Sequence, residues 1–230
     1  MSWWQFARPQ RPALPDADAQ RLARWRALKA TPPRLSLDQT RFVVLDTETS
    51  GLDLAKDRML SIAAVTVQGG ALEIGRAFER VLEQAVPSTE QNILIHGIGG
   101  SEQLAGVSPT TALLDFLEYA GHSPLVAFHA GFDRHFIDRA LRHSLGCVSA
   151  GPWFDLALLL PVLFRDHPGQ QLDDWLLRFG IAPAQRHSAL GDAAATAELL
   201  LIALAQAHAR GIADLRALRK CIGQGRWLQQ

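Results

Sequence analysis

The 230-residue chain is predicted to fold as α/β, a mixed β-sheet flanked by α-helices, and three observations carry that prediction. The apolar run FVVLD ends in an acid at residue 46. Two further apolar runs then flank Gly69-Gly70, the signal of a tight antiparallel hairpin. Beyond residue 109 the apolar period is helical, interrupted by the short run LVAF. Antiparallel strands followed by helices alternating with strand describe a mixed sheet covered by helices.

Along the chain, residues 16–30 place Leu22, Trp25 and Leu28 near helical spacing; Asp16 or Asp18 is positioned to cap this helix and Pro32-Pro33 to stop it. Residues 1–35 are thus expected to form a basic helical extension and linker, 36–210 the main domain and 211–230 a C-terminal helix and tail. Within the main domain, FVVLD, MLSIAAVTV, ALEIGRAFERVL and LVAF (125–128) read as strands. Helices are expected over 110–120, over 131–145 with Phe132, Phe136, Ile137, Ala140 and Leu141 on one side, over 156–164, 172–179 and 191–210, the last stopped by Gly211, and over 212–221.

Apolar residues make up 48% of the chain and charged residues 20%, enough for a sizeable core and against bulk disorder. Cys147 and Cys221 lie far apart with no C-x-x-C pairing, which argues against a disulfide framework or structural zinc and fits a reducing cytoplasm. The N-terminal MSWWQFARPQRP has no secretory apolar stretch, and the longest apolar region, near Leu199 to Ala207, is too short to span a bilayer. No membrane partner is expected. Formal net charge is zero, but residues 1–41 hold eight Lys/Arg against three Asp/Glu, leaving the remainder at −5. An acidic main domain suits a site that gathers carboxylates around cations, and the basic arm either faces a polyanion or packs on that domain.

Asp46-Thr47-Glu48 ends the first strand, followed closely by Gly51. Strand alternation sends Asp46 and Glu48 to the same side, where two carboxylates about 4 Å apart repel by roughly 4 kcal/mol at an effective dielectric of ~20. Hard divalent cations such as Mg²⁺ or Mn²⁺ relieve that repulsion; a pair of solvated strand-end acids is the plainer alternative. Asp133 follows LVAF in the first turn of a helix, where it serves either as a ligand or as a cap. His187-Ser188-Ala189-Leu190-Gly191-Asp192 leads into the long helix with Ser188 as N-cap, which brings His187 and Asp192 towards a common point. A lone loop histidine, by contrast, is an ordinary surface residue.

Taken together, these segments resemble the DEDDh exonucleases, the RNase H-like group that contains the proofreading epsilon subunit of bacterial replicative DNA polymerase. FVVLDTETSGLD matches the first motif, LVAFHAGFDRHFI the second and RHSALGDAAATAELL the third, with ILIHGIGG as a further family segment; the likeness spans about 41–207. In the second motif Phe128-His129 stands where many relatives have His-Asn.

The resemblance implies an RNase H-like sheet and two metal ions. Asp46, Glu48 and Asp192 would bind the ion carrying the attacking water, and Asp46 with Asp133 the second ion. His187 would act as general base, and Thr47, Thr49, Gly51, Leu52, His96 and Phe132 would surround the terminal nucleotide. The expected activity is metal-dependent 3′→5′ release of nucleoside monophosphates from single-stranded DNA ends, in proofreading or repair, with DNA favoured over RNA. RNA 3′-end trimming is the alternative within the enzyme class. A non-catalytic nucleic-acid-binding or DNA-polymerase-associated subunit is the alternative outside it.

Overall fold

The structure, a computed structural model, describes residues 14–166, 171–183 and 185–228. The chain's first twelve residues, read above for a leader, lie outside the described residues.

Three strands come first. β1 (Phe42–Thr49) pairs antiparallel with β2 (Met59–Gln68), and β2 with β3 (Ala71–Val81). The β2–β3 turn is Gly69-Gly70, both at positive φ (58° and 74°), the backbone a two-residue hairpin of this hand requires. β4 (Leu125–Ala127) runs parallel to β1, and β5 (Trp153–Asp155) parallel to β4, giving the order β3-β2-β1-β4-β5. β5 was not among the strands read from the sequence. Three residues between Pro152 and a helix carry no period of their own, and β5 exists because β4 offers it a parallel edge.

Both faces of the sheet are covered, so β1 is buried from Phe42 through Leu45 and its composition does not alternate. Its packing does. Val43 and Leu45 enter one core with α1 (Asp16–Arg26), α4 (Pro109–Ala120) and α5 (Ala130–Ser144). Phe42 and Val44 enter the opposite core with α6 (Leu156–Leu163), α7 (Leu172–Phe179), α8 (Ala189–Ala209) and α9 (Leu215–Leu228). α8 is long and apolar enough to cross a membrane by length and composition, but half of its most apolar window is buried, and the helix packs on β1 and β2.

Two short helices, α2 (Glu90–His96) and α3 (Gly100–Leu104), fill the stretch between β3 and α4, where the sequence suggested none. Neither reaches two full heptads of apolar pattern; Thr89 caps α2 and a left-handed Gly97 ends it. α1 is shorter than expected and has no side-chain cap, Pro15 occupying the N-cap position. It stops at Arg26 because Leu28 finds no core to enter and is 47% exposed, so a further turn lacks tertiary support.

Of the two readings of the arm, α1 displays packing. Leu22 and Trp25 are buried, the Trp25 indole N–H donates to the Gly121 carbonyl at 3.1 Å, and its ring meets His122 edge-on. Arg21 bridges Asp115 and Glu118 of α4, both at 2.7 Å. Trp25→Ala is expected to cost about 3–5 kcal/mol of unfolding free energy in urea titration. A loss below about 1 kcal/mol would show α1 to be only loosely docked.

Candidate active site

The site grows from the alternation of β1. Asp46 and Glu48 continue the Phe42 and Val44 face, towards α8, while Thr47 turns to the α5 face and is buried. α5 starts directly beyond β4 and carries Asp133 in its first turn; the Thr47 hydroxyl donates to Asp133 Oδ1 at 2.8 Å. α8 starts at the Ser188 N-cap, whose hydroxyl accepts from the Gly191 N–H at 3.1 Å, and carries Asp192 in its first turn. Asp46 and Glu48 from the strand, Asp133 and Asp192 from two helix starts, therefore meet at the C-terminal end of β1. Asp133 and Asp192 are both buried. In open α/β sheets, the ends of parallel strands are where ligands bind.

Burial and mutual repulsion act on these groups together. Burial, reinforced by Asp133, Glu48 and Asp192, holds the Asp46 carboxyl well above the usual carboxylate range. Burial, with Asp192 and Asp133 adding to it, pushes Glu48 up to about 7. Asp133 is pushed up to about 7 by burial, against the hydrogen bonds from Thr47 and neighbouring backbone. Desolvated acids that raise one another's pKa in this way accumulate unfavourable charge at neutral pH.

A cation from the chain itself answers part of that charge. The Arg186 guanidinium donates to Asp192 and also lies 2.7 Å from Asp173. Burial works against its charge, and the bonds to Asp192 and Asp173 outweigh it, so Arg186 is held above its ordinary value. In this arrangement no three Asp, Glu, His or Cys side chains among the described residues converge closely enough to chelate one ion. Asp192 is drawn to Arg186 and Asp133 to Thr47, which accounts for the spread. The donor set nonetheless fits hard divalent cations: every donor is a carboxylate oxygen, and the acids oppose one another's ionisation.

His187 sits outside this cluster. It is exposed on the turn before α8 with φ of +57°, and among the described residues its ring makes no hydrogen bond. The remaining expected residues divide. Thr49 donates from its hydroxyl to the Gly51 carbonyl at 2.7 Å, shaping the turn after β1. A Cβ on Gly51 would meet Asp57 Oδ2 at 2.4 Å, so a larger residue there would displace the Asp57 carboxylate that the Ser50 hydroxyl holds. Leu52 is 83% exposed at this rim. Phe132, in the first turn of α5, packs on Phe136 with ring centroids 4.8 Å apart.

His96 is buried. Its Nδ1 accepts from the Ile98 N–H at 3.0 Å, which leaves the proton on Nε2 facing the Ser88 hydroxyl at 3.2 Å. Burial lowers its pKa, and the ring supports the segment joining α2 and α3.

Arg186 and Asp155 were not singled out in the sequence. Asp155 ends β5 and accepts from the backbone N–H groups of His129 and Ala157, both at 3.0 Å. Its sequence signal is weak, since only Trp153 and Phe154 precede it between Pro152 and α6. Arg186 carries no such signal; only the turn before α8 brings it to Asp192. His129, at the departure from the common His-Asn, occupies the left-handed region with φ of +58°, a conformation that asparagine adopts more readily than most residues.

Comparison with known proteins identifies the family and the fold. The profile of the Exonuclease (RNase_T) family matches residues 43–200. The DNA polymerase III subunit epsilon-like protein of Rhodobacter capsulatus is 35% identical over 197 residues, covering 84% of this chain and 27% of that protein. The PolC-type DNA polymerase III of Bacillus subtilis is 32% identical over 195 residues, covering 84% of this chain and 13% of that one. Among solved structures, Escherichia coli exonuclease I in complex with a dA16 oligonucleotide superposes with a TM-score of 0.61 at 18% identity, over 73% of this chain and 41% of that one. Exonuclease X in complex with 5′ overhanging duplex DNA superposes with a TM-score of 0.57 at 22% identity, over 73% and 93%. The chain belongs to the exonuclease family, on an RNase H-like fold.

Proposed function

We propose that this chain is a metal-dependent 3′→5′ exonuclease that releases nucleoside monophosphates from single-stranded DNA ends. The observation that carries the reading is the set of four acids brought from a strand end and two helix starts to one place, three of them held well above the ordinary carboxylate range. Asp46, Glu48, Asp133 and Asp192 would hold two Mg²⁺ or Mn²⁺ ions. When bound, such ions lower the pKa of an attacking water and stabilise charge on the departing oxygen. The chain's own residues do the rest. Thr47 orients Asp133, Ser188 fixes the start of α8 and with it Asp192, and His187, exposed on the turn before α8, would take the proton of the attacking water as general base. The Gly51 turn, Leu52 and Phe132 bound the terminal nucleotide, while His96 supports the segment joining α2 and α3.

The relatives' names add a second reading, association with a DNA polymerase in proofreading, since both are described as DNA polymerase III proteins. The chain spans about a quarter or less of their length, so this part rests on likeness to one segment of each. A cytoplasmic setting goes with either reading.

Matched 5′-labelled DNA and RNA single strands, incubated with Mg²⁺ or Mn²⁺, test the proposal. The expected product is a ladder shortening one nucleotide at a time from the 3′ end, faster for DNA and stopped by EDTA. Internal cuts, loss from the 5′ end or activity in EDTA would overturn it, and faster RNA shortening would move the substrate to RNA.

The raised carboxyls also set a pH dependence. Folded Glu48 and Asp133 at about 7, against ordinary values of 4.5 and 3.8, keep protons that the unfolded chain has already released. In EDTA, the contribution of these two carboxyls to stability is therefore greatest below about pH 4, falls as pH rises through 7 and levels off above it. Melting temperatures at pH 5 and 8, with EDTA or Mg²⁺, check this: Mg²⁺ stabilises most at pH 8, and Glu48→Gln shrinks the pH effect. Equal melting at both pH values in EDTA would contradict it.

A further inference from the structure

The carboxylate site repels the phosphates it is proposed to cut, so a strand needs cations elsewhere to hold it. Most arginines near the folded core are already engaged: Arg21 and Arg80 by acids of α4, Arg186 by Asp173 and Asp192, and Arg41 by carbonyls and hydroxyls. One group differs. Arg34, Arg216, Arg219 and Lys220 line a single open groove of about 680 Å³, with Asp214 and Ala217. All four cations are exposed, and among the described residues none has a carboxylate within salt-bridge distance. The Asp214 carboxylate is occupied by the Ala217 backbone N–H at 2.8 Å.

The placement follows from the backbone. The segment before β1 runs beside the start of α9, with the Arg216 N–H donating to the Pro33 carbonyl at 2.8 Å and the Leu37 N–H to Ala213 at 3.0 Å, which sets Arg34 next to Arg216. On α9, Leu215, Leu218 and Ile222 enter the core, leaving Arg216, Arg219 and Lys220 at i, i+3 and i+4 on the outer face.

Arg219 also lines a second cavity, of about 290 Å³, together with Ala130, Gly131, Arg134, Trp153 and Asp155. That cavity opens at the first turn of α5, two residues before Asp133, and its one carboxylate, Asp155, accepts from the backbone of His129 and Ala157. Arg219, with Arg134, which Asp138 engages at 3.5 Å, thus lies between the first turn of α5 and the groove of Arg216, Lys220 and Arg34.

We infer that this groove holds the phosphodiester backbone of a single strand on the 5′ side of the nucleotide being removed. The inference rests on the exonuclease reading. Phosphate contacts of this kind are independent of sequence, as an end-trimming activity requires, and make affinity depend steeply on salt.

The test is fluorescence anisotropy of 5′-labelled oligothymidylates roughly four and sixteen nucleotides long, in EDTA so that nothing is cut, from roughly 50 to 200 mM salt. The variant combines Arg34→Gln, Arg216→Gln, Arg219→Gln and Lys220→Gln, and a companion carries Arg34→Lys, Arg216→Lys and Arg219→Lys. Wild type is expected to bind the longer strand more tightly. The glutamine variant should lose at least about tenfold affinity for it and about three units of the logarithmic salt slope, at about 0.7 per lost contact. The lysine companion should keep most of both, which separates lost charge from lost fold. An unchanged length preference and salt slope in the glutamine variant overturns the inference, as does equal wild-type affinity for polyglutamate of matched length. Cleavage of the four-nucleotide strand by wild type with Mg²⁺ is read separately. If it is absent while the groove effects stand, the exonuclease reading fails and the binding surface remains.

Discussion

Alanine at any one of Asp46, Glu48, Asp133 or Asp192 is expected to lower exonuclease turnover at least about 100-fold, since displacing a reacting group by about 1 Å already costs that much. Stability should move differently at each position. Asp46 and Glu48 are desolvated acids facing other acids, so Asp46→Asn and Glu48→Gln should raise the melting temperature of the metal-free protein at pH 8 while abolishing turnover. Asp192→Ala frees Arg186 from its partner and Asp133→Ala leaves the buried Thr47 hydroxyl without its acceptor, so both should melt lower. Initial rates on a labelled single strand, beside melting curves in EDTA, give both readouts. Near-normal turnover in any two of the alanine variants would sink the assignment of this cluster.

The second large effect is expected at His187. Removing a positioned general base costs roughly 10²–10⁴-fold in the chemical step. A base acts only when neutral, so wild-type single-turnover rates should rise with pH through one ionisation, and His187→Ala should lose that limb of the profile. His187 has a left-handed backbone that alanine tolerates poorly, so His187→Asn is the control that keeps the turn without supplying a base. Both variants should bind Mg²⁺ and the 3′ end as wild type does, because the histidine is exposed and outside the carboxylate cluster. If either folded variant keeps near-normal rates across the pH range, His187 is not the base. If both fold poorly, the residue is there for the turn.

The candidate residues were legible because each acid stands at a punctuation point of the chain. Asp46 closes an apolar run, Asp133 follows LVAF and a glycine, and Asp192 follows the Ser188 cap; such boundaries show in a single sequence. Short elements were not legible. β5 has three residues and α3 five, too few to show a period, and β5 is held by β4, distant in sequence. The end of α1 was misplaced for a related reason: Leu28 continues the helical spacing, but no core meets it.

By itself, then, the sequence determined the mixed sheet with its hairpin turn, the order of the acids along the chain and the side of β1 that Asp46 and Glu48 share. These depend on local rules, the two-residue strand period and the special backbone of Gly69-Gly70. Only the tertiary structure decided that Thr47, on the other face, would hold Asp133, that Arg186 would answer Asp192, and that His96 would be spent inside the protein. It also set Arg34 beside α9 and, among the described residues, left that group of cations without a salt bridge, although the chain as a whole is neutral. Partnership, burial and the field at a carboxylate depend on which distant elements pack together, and no short window of sequence carries that information.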